Sequence, residues 1–414
     1  MQKRKLVKIA VLTRCTGFTQ FLKFWKTESS IDLIKAAYSK NAFFCLLILI
    51  CALLFTDQLE AKVTGACNNC HTMHNSQNGV AVAYDFDGTS FVKTDVPRGN
   101  MLIHSCLGCH SKTDSITWQD NITKAPIVFN TVEPTYNTFK GLAAGNFYWI
   151  QTDDTKGHNV LASNPEDTLN PVVAPGDTGN SSCGTESCHA NIHGTVVGAG
   201  FDGRQGCTKC HMIGSGTYAK GYHHLDDTGP VIDSADEGWY RFLDGHQLGS
   251  GCGVTGIEDD DWQYNADSTD HNEYLGYSGT KTSTGGFSTL GNTMTAYCTG
   301  CHGNFHIEDD VSTGSPWIRH PSDLIIPNSG EYSSAFNAVG GTGTYDPLVP
   351  VARQSLSGWT APSGVVTLNS DMIMCLSCHH AHASPYFKIL RWDYKGWPGN
   401  GGTNGCIVCH TSKD

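Results

Sequence analysis

The sequence has little with which to build an ordinary core, and it has little positive charge. Only 39% of its 414 residues are apolar and 46 are glycine, so a conventional core would be thin for a chain long enough to form two or three domains. Without residues 1–61, 18 basic residues stand against 35 acidic ones, a net charge of −17. Such an acidic chain is not expected to bind nucleic acid or anionic lipid.

The sequence also lacks a hydrophobic run long enough to cross a membrane. The apolar run 42–55 is shorter than the roughly 18 residues of a membrane span, and polar Thr56-Asp57-Gln58 ends it. Basic residues precede the run, as is typical of an export signal. We therefore expect residues 1–61 to be a signal peptide, cleaved near Ala61, and residues 62–414 to be exported.

Cysteine, by contrast, is abundant. Eighteen cysteines are too many for a reduced cytosolic protein of this length, so they require disulfides, a metal or a covalent cofactor. Six pairs have the form Cys-x-x-Cys-His: Cys67-Cys70-His71, Cys106-Cys109-His110, Cys207-Cys210-His211, Cys298-Cys301-His302, Cys375-Cys378-His379 and Cys406-Cys409-His410. A seventh, Cys183-Cys188-His189, has four intervening residues.

The spacing of these motifs is the attachment signature of c-type haem. Two thiols so placed can reach both vinyl groups of one haem, while the adjacent histidine can bind the iron from the same side. Structural zinc also uses Cys-x-x-Cys pairs, but zinc gives no reason for a histidine after every second cysteine. The motifs therefore predict seven covalently attached haems, with Cys252 left as a free thiol.

Histidines are numerous enough to supply a second axial ligand to every iron. Seven of the 19 histidines are proximal, and methionine is scarce by comparison. Bis-histidine ligation closes the iron to substrate and favours electron transfer over catalysis. Four of the remaining histidines lie three or four residues after a proximal one: His74, His193, His306 and His382. On a helix each would share a face with its proximal neighbour and could not reach the other side of the same haem, so we expect each to ligate a neighbouring haem.

Three further distal ligands are needed. We favour His158, His320 and one of the pair His223-His224, with His224 as the choice. His104, His246 and His271 are reserves, and His380 is the least expected ligand because its neighbours already have roles.

The motifs follow no fixed period, so a simple repeat array is not expected. The haem-free stretches, 113–182, 225–297 and 321–374, are rich in Gly, Thr, Ser, Asn and Asp, which is typical of long loops. We predict strands at 147–150 and 364–368 and short helices at the attachment motifs.

The predicted fold is a multihaem cytochrome c, mostly coil and long loops, with short helices and few short strands organised around a chain of stacked haems. The haems would replace a conventional core, much as disulfides staple a small secreted domain. Aromatic residues in the loops would either cover haem edges or pack ordinarily: Trp239, Tyr240, Phe242 and Trp262. The acidic run 258–261 is expected to be a solvated loop, with a calcium site as the alternative.

Several segments resemble one family, the outer-surface multihaem cytochromes that polymerise into extracellular nanowires. The segments are Cys67–Ser76, Lys156–Asn159, Arg319–Pro321, Cys375–His379 with His382-Ala383-Ser384, and Cys406–His410 with its short Lys-Asp tail. Known members carry four or six haems, so seven is a departure, and the added one is expected at Cys207-Cys210-His211.

The resemblance implies a role for His74. In the six-haem relative the matching histidine ligates a haem of the next subunit, at the motif matching Cys375-Cys378-His379. Head-to-tail contacts of this kind do not close and generate a filament.

The expected function is therefore extracellular electron transfer at the outer cell surface by a head-to-tail homopolymer that exchanges electrons with redox proteins and an external acceptor. The protein would not be an enzyme. A monomeric periplasmic or outer-membrane-associated carrier is the alternative, and a multihaem reductase is a third possibility that would need an iron without a distal side chain.

Overall fold

We describe the protein from a computed structural model. The described residues are 66, 76–77, 80–81, 84–86, 91–93, 106–135, 141–161, 207, 210–211, 229–234, 237–243, 253–277, 291–299, 302, 322–394 and 404–412. The chain divides into two compact units, Met1–Leu59 and Glu60–Asp414, and all described residues belong to the second.

Regular elements are few and short, as predicted. Four α-helices of one turn or slightly more are described: α1 (Leu107–His110), α2 (Met294–Thr299), α3 (Cys375–Cys378) and α4 (Cys406–Cys409). The strands are β1 (Ser76–Gln77), β2 (Val80–Ala81), β3 (Tyr84–Phe86), β4 (Phe91–Lys93), β5 (Ser111–Lys112), β6 (Phe129–Asn130), β7 (Val231–Ile232), β8 (Gly256–Ile257), β9 (Glu273–Leu275), β10 (Leu324–Ile325), β11 (Thr342–Thr344), β12 (Ala352–Arg353), β13 (Val365–Thr367) and β14 (Met372–Ile373). The remainder is coil with 3-10 turns. In the described part of the chain, no helix is long and apolar enough to span a bilayer.

The largest sheet joins the second and third haem-free stretches. Its strand order is β10-β14-β12-β9-β8-β7. Neighbouring strands are antiparallel except β12 and β9, which run parallel with Ala352 opposite Tyr274. The short strands therefore tie 229–277 to 322–373 and place the attachment helix α3 directly after β14.

These loops bury more apolar side chains than the sequence led us to expect. One apolar cluster contains Phe336, Val351 and Val366, and a second contains Tyr274 and Met372. Both clusters pack against cysteines of the attachment motifs, including Cys378 and Cys298. The haem-free stretches thus form a conventional core of their own, and the expectation that haems replace the core is wrong for this part of the chain.

A buried ionic network lies at the centre of this core. The Arg353 guanidinium donates to the Glu273 carboxylate (Nε to Oε2, 2.8 Å) and to Asp371 (Nη1 to Oδ2, 2.5 Å). The His271 ring is fully buried, stacks on Tyr345 with ring centres 3.5 Å apart, and lies 3.2 Å from Glu273 Oε1. Buried charges require such partners, so the network holds β9, β12 and the turn before β14 together.

One predicted strand is wrong. The run beginning at Phe147 is a 3-10 helix, Phe147–Gln151. The Asn146 side chain caps it by accepting from the Tyr148 amide at 3.0 Å, and donates to Asn130 Oδ1 at 2.7 Å. This capping outweighs the strand preference of an aromatic and β-branched run. The other prediction, at 364–368, is confirmed by β13.

Candidate haem-binding site

The five attachment motifs that the structure describes share one backbone geometry. In each, the amide of the histidine donates to the carbonyl of the first cysteine: His110 to Cys106 (3.0 Å), His211 to Cys207 (2.8 Å), His302 to Cys298 (3.0 Å), His379 to Cys375 (3.0 Å) and His410 to Cys406 (2.9 Å). This is one turn of helix. It brings both thiols and the imidazole of a motif to the same short stretch of surface.

Thioether attachment would use the thiols of these motifs. Some of the motifs lie next to one another, and this proximity affects the pKa values of their thiols. Contact with the Cys106 thiol, together with burial, raises the pKa of Cys207 well above its usual range. Burial and the nearby Cys406 raise the pKa of Cys378 to about 12. The motif at Cys207 thus adjoins that at Cys106, and the last two motifs adjoin each other.

The proximal imidazoles are oriented by backbone carbonyls. Three of them have Nδ1 at hydrogen-bonding distance from a carbonyl oxygen: His110 from Pro126 (2.8 Å), His211 from Arg241 (2.9 Å) and His379 from Lys388 (2.9 Å). An imidazole that donates from Nδ1 carries its lone pair on Nε2. This is the usual way in which a protein fixes the tautomer of a metal-ligating histidine.

Two pairs of histidine rings, each joining a proximal to a predicted distal residue, have a separation that suits one metal. The ring centres of His158 and His302 are 6.2 Å apart, and those of His211 and His382 are 5.9 Å apart. A metal–imidazole bond is about 2 Å long and the ring centre lies roughly 1 Å behind the nitrogen, so two rings on opposite sides of one metal have centres about 6 Å apart. Both pairs fit this separation.

A close backbone approach holds His158 and His382 in place together. The His158 amide donates to the His382 carbonyl at 3.0 Å, and His158 Nδ1 lies 2.7 Å from the Ala381 carbonyl. Gly157 makes this possible, because a Cβ there would lie 2.5 Å from the Ala383 Cβ and 2.7 Å from the His382 carbonyl. The His382 ring also stacks on Phe147, with ring centres 4.4 Å apart.

Burial keeps these imidazoles neutral. Burial is the main cause that lowers the pKa of His110, His158, His211 and His379. Burial, followed by the neighbouring histidines, lowers the pKa of His382 well below its usual value. A metal binds the neutral imidazole. One-turn motifs with two cysteines and a histidine, together with the paired imidazoles, therefore fit a covalently attached haem with two axial histidines.

Two other histidines have different surroundings. Both ring nitrogens of His271 face oxygens, with Nδ1 at 3.1 Å from the Asp267 carbonyl and Nε2 at 3.2 Å from Glu273. His271, kept in reserve as a ligand, belongs instead to the buried ionic network. His380 is buried with Nδ1 at 2.8 Å from the Ala143 carbonyl, and burial lowers its pKa to about 3.

The acidic run 258–261 is only partly a solvated loop, because Asp260 is exposed but Glu258 and Asp259 are held by neighbours. Glu258 accepts from the Arg241 amide and pairs with its guanidinium, while Asp259 is buried and accepts from the Gln263 amide. Among the residues that the structure describes, no group of three or more His, Cys, Asp or Glu side chains is arranged to hold a metal ion. Arg241 also stacks on Trp262, 4.2 Å from its ring centre, which gives that aromatic residue a packing role.

The remaining aromatic candidates are core residues as well: Trp239, Tyr240 and Phe242 are buried. Many of the other predicted site residues lie outside the described residues: Cys67, Cys70, His71, His74, Cys183, Cys188, His189, His193, His224, Cys301, His306 and His320, together with His104, His223, His246 and Cys252.

Sequence reasoning missed the groups that orient the imidazoles. The carbonyls of Pro126, Arg241 and Lys388 carry no sequence signal, because every residue has a carbonyl. It also missed Glu331, whose Oε1 lies 3.4 Å from Nδ1 of His410. Only the fold brings these groups to the motifs.

Comparison with known proteins supports this chemistry. The family model described as the doubled CXXCH motif matches residues 368–414, which contain the last two attachment motifs. The C-type cytochrome OmcS of Geobacter sulfurreducens is 25% identical over 377 residues, covering 79% of this chain and 78% of OmcS. The attachment motifs and this similarity together establish that the chain binds haem c covalently.

The chain is also similar to two solved structures. The filament of outer membrane cytochrome S from Geobacter sulfurreducens covers 81% of this chain and 85% of its own, with 17% identity and a TM-score of 0.37. A cryo-EM structure of the OmcS nanowires covers 80% and 84%, with 18% identity and a TM-score of 0.39.

Proposed function

Since the chain is an OmcS-like multihaem c-type cytochrome, we propose that it carries seven haems and conducts electrons outside the cell as a head-to-tail homopolymer at the outer surface. The single observation that carries the electron-transfer role is the pairing of imidazoles, His158 with His302 and His211 with His382, with ring centres about 6 Å apart. Such a pair would give one iron two imidazole ligands and leave no coordination position for a substrate.

Haem c supplies a one-electron redox centre when it is bound. The residues of this chain attach the haem, orient its ligands and set the distance between neighbouring haems. The thiols fix each ring to the chain, the carbonyls behind Nδ1 orient the proximal imidazoles, and the contact between neighbouring motifs keeps successive centres close. The distal histidine of one motif serves another: His382, three residues after His379, lies beside His211. Ligands shared between motifs in this way would keep neighbouring haems close, as a continuous conductor requires.

The same logic extends to His74 and supports polymerisation. His74 lies three residues after His71, as His382 lies three after His379, so it is suited to a haem other than its own. In the six-haem relative that the sequence resembles, the matching histidine ligates a haem of the next subunit. We assign His74 this role here, with the motif Cys375-Cys378-His379 as its partner in the adjacent subunit.

Electron cryo-microscopy of the haem-loaded protein sheared from cells tests the proposal. Filaments with His74 bound to a neighbouring subunit's iron are expected. His74→Ala should yield dispersed subunits, whereas Asn75→Ala, the matched control next to it, should still polymerise. Uniform single particles from the unmodified protein would refute the polymer and leave the monomeric carrier.

The number of haems is tested separately by the intact mass of the mature protein. Seven covalent haems are expected, and Cys183→Ser combined with Cys188→Ser should remove one. A mass that is unchanged in this variant would show that the wider motif carries no haem. An iron with an open sixth position, detected by binding of carbon monoxide or nitrite to the native protein, would favour a reductase instead.

A further inference from the structure

The last attachment motif is covered by the 3-10 helix Gly330–Asn337. Glu331 Oε1 lies 3.4 Å from Nδ1 of His410, and both side chains are largely buried. Two contacts hold the Glu331 backbone and the His410 ring in place. The Thr411 hydroxyl donates to the Glu331 backbone carbonyl at 2.5 Å, and the Tyr332 ring meets His410 edge-on with ring centres 5.3 Å apart. These neighbours keep Glu331 next to the His410 imidazole.

His410 thereby differs from the three proximal histidines His110, His211 and His379, whose Nδ1 atoms face neutral backbone carbonyls. The Glu331 carboxylate places a negative charge 3.4 Å from the His410 imidazole, where the other three histidines face neutral carbonyls. A negative charge this close would favour the more positive, oxidised state of an iron held by His410. The groups around an axial ligand are one of the means by which a protein sets a haem potential.

We propose that Glu331 is a positioning residue that lowers the reduction potential of the haem attached at Cys406 and Cys409. The inference rests on the proposed ligation of that iron by His410. It adds to the proposed function an assignment of potentials within the chain of haems.

The neighbouring motif carries the opposite charge. Arg391 is buried and donates to the carbonyls of Leu348 and Pro347, both at 3.0 Å, while its amide donates to the Cys378 carbonyl at 2.9 Å. A buried cation beside Cys378 would disfavour the more positive, oxidised state of a haem attached there. Arg391 would therefore give a haem at Cys375-Cys378-His379 a higher potential than one at Cys406-Cys409-His410.

A redox titration of the full haem-loaded protein, followed by optical absorption, tests the assignment. Glu331→Gln keeps the side-chain size and presents a neutral amide oxygen, as the three carbonyls do. We expect one haem's share of the absorbance change to move to more positive potential, with the number of haems per chain unchanged.

Asp346→Asn is the matched control. Asp346 is a carboxylate whose charge also acts on Cys409, but its Oδ1 accepts from the Leu348 amide at 2.9 Å. This variant should shift that component much less than Glu331→Gln. Equal shifts in the two variants would refute the proposal, because the close approach of Glu331 to the His410 imidazole would then make no difference. The absence of any shift in Glu331→Gln would refute it as well.

A second variant tests the positioning itself. Thr411→Val removes the hydroxyl that holds Glu331 and should move the same component in the same direction by a smaller amount; no movement would count against the positioning role. Near-infrared magnetic circular dichroism of the unmodified protein reports the axial ligands independently. Haems without a histidine pair in that spectrum would overturn the ligand assignments of the proposed function, whatever the effect of Glu331→Gln.

Discussion

The rings of His158 and His302 lie with their centres 6.2 Å apart, although the two residues come from opposite halves of the chain. No single turn or helix contains both residues. Their proximity depends on the backbone contact between 154–158 and 381–384, and on the helix α2, which ends just before the motif's second cysteine. Tertiary structure therefore places the loop residue His158 next to the attachment motif that ends at His302.

The first prediction concerns these imidazoles. His158→Ala should leave all haems attached but convert one from low-spin to high-spin, because its iron loses an axial nitrogen. His382→Ala should do the same for a different haem. Electron paramagnetic resonance of the oxidised protein measures the number of high-spin irons, and the two changes should add in the double variant. Retention of every low-spin signal in His158→Ala would contradict the pairing.

The second prediction concerns Gly157, which lies where the two segments meet. A Cβ there would approach Ile150 Cγ2 to 2.3 Å and the His382 carbonyl to 2.7 Å. Gly157→Ala should therefore displace both histidines at once, giving two high-spin haems, and lower the free energy of unfolding by about 1–3 kcal/mol through overpacking. Gly358→Ala is a useful contrast. A Cβ at Gly358 meets nothing within 4 Å, so only the cost of its positive φ of 79° remains, and no high-spin haem is expected. High-spin haems in both variants would indicate a general loss of structure.

The chemistry could be predicted from the sequence much further than the packing. Each attachment motif is local, since the thiols and the imidazole lie on one turn. The argument about His382 assumed a helix through His379, but α3 ends at Cys378 and the His379 backbone is extended, so the fold, not the spacing, places His382 beside His211. His271 could not be told from a ligand, because its partners Glu273 and Tyr345 reach it only through β9 and the turn after β11. Glu331 was missed for the same reason, and the strand predicted at Phe147 failed because the deciding cap, Asn146, forms its hydrogen bonds with β6.

The third prediction concerns the buried ionic network. Arg353 pairs with two carboxylates, Glu273 and Asp371. Glu273→Gln removes the charge of the first, so the charge of the buried Arg353 guanidinium is then only partly compensated. Breaking a buried pair in this way costs about 3–5 kcal/mol, which chemical denaturation monitored by tryptophan fluorescence or circular dichroism would measure. Gln354→Ala, an exposed neighbour of Arg353, should change the free energy of unfolding by no more than about 0.5 kcal/mol. A small effect of Glu273→Gln would show that the network contributes little. The haem spectrum should be unchanged in both variants.

The last prediction concerns Asp259, and its sign follows from its pKa. Burial, followed by the nearby carboxylates of Asp261 and Asp270, raises the pKa of Asp259 from 3.8 to about 7. A carboxyl group whose pKa is higher in the folded state binds its proton more tightly there, so its contribution to stability is lost as pH rises from about 4 to about 7 and stays lost above that. Asp259→Asn removes this loss while keeping an oxygen to accept from the Gln263 amide.

Asp259→Asn should therefore be more stable than the unmodified protein at pH 8 and nearly equal to it at pH 4, as measured by chemical denaturation at both pH values. Asp267→Asn provides a control of opposite sign in the same loop. Backbone and side-chain hydrogen bonds from Thr269 lower the pKa of Asp267, so its charge stabilises the fold above pH 4 and its removal should destabilise the protein at pH 8. If the two variants shift stability in the same direction at pH 8, the carboxylates around Asp259 do not repel one another as their spacing implies.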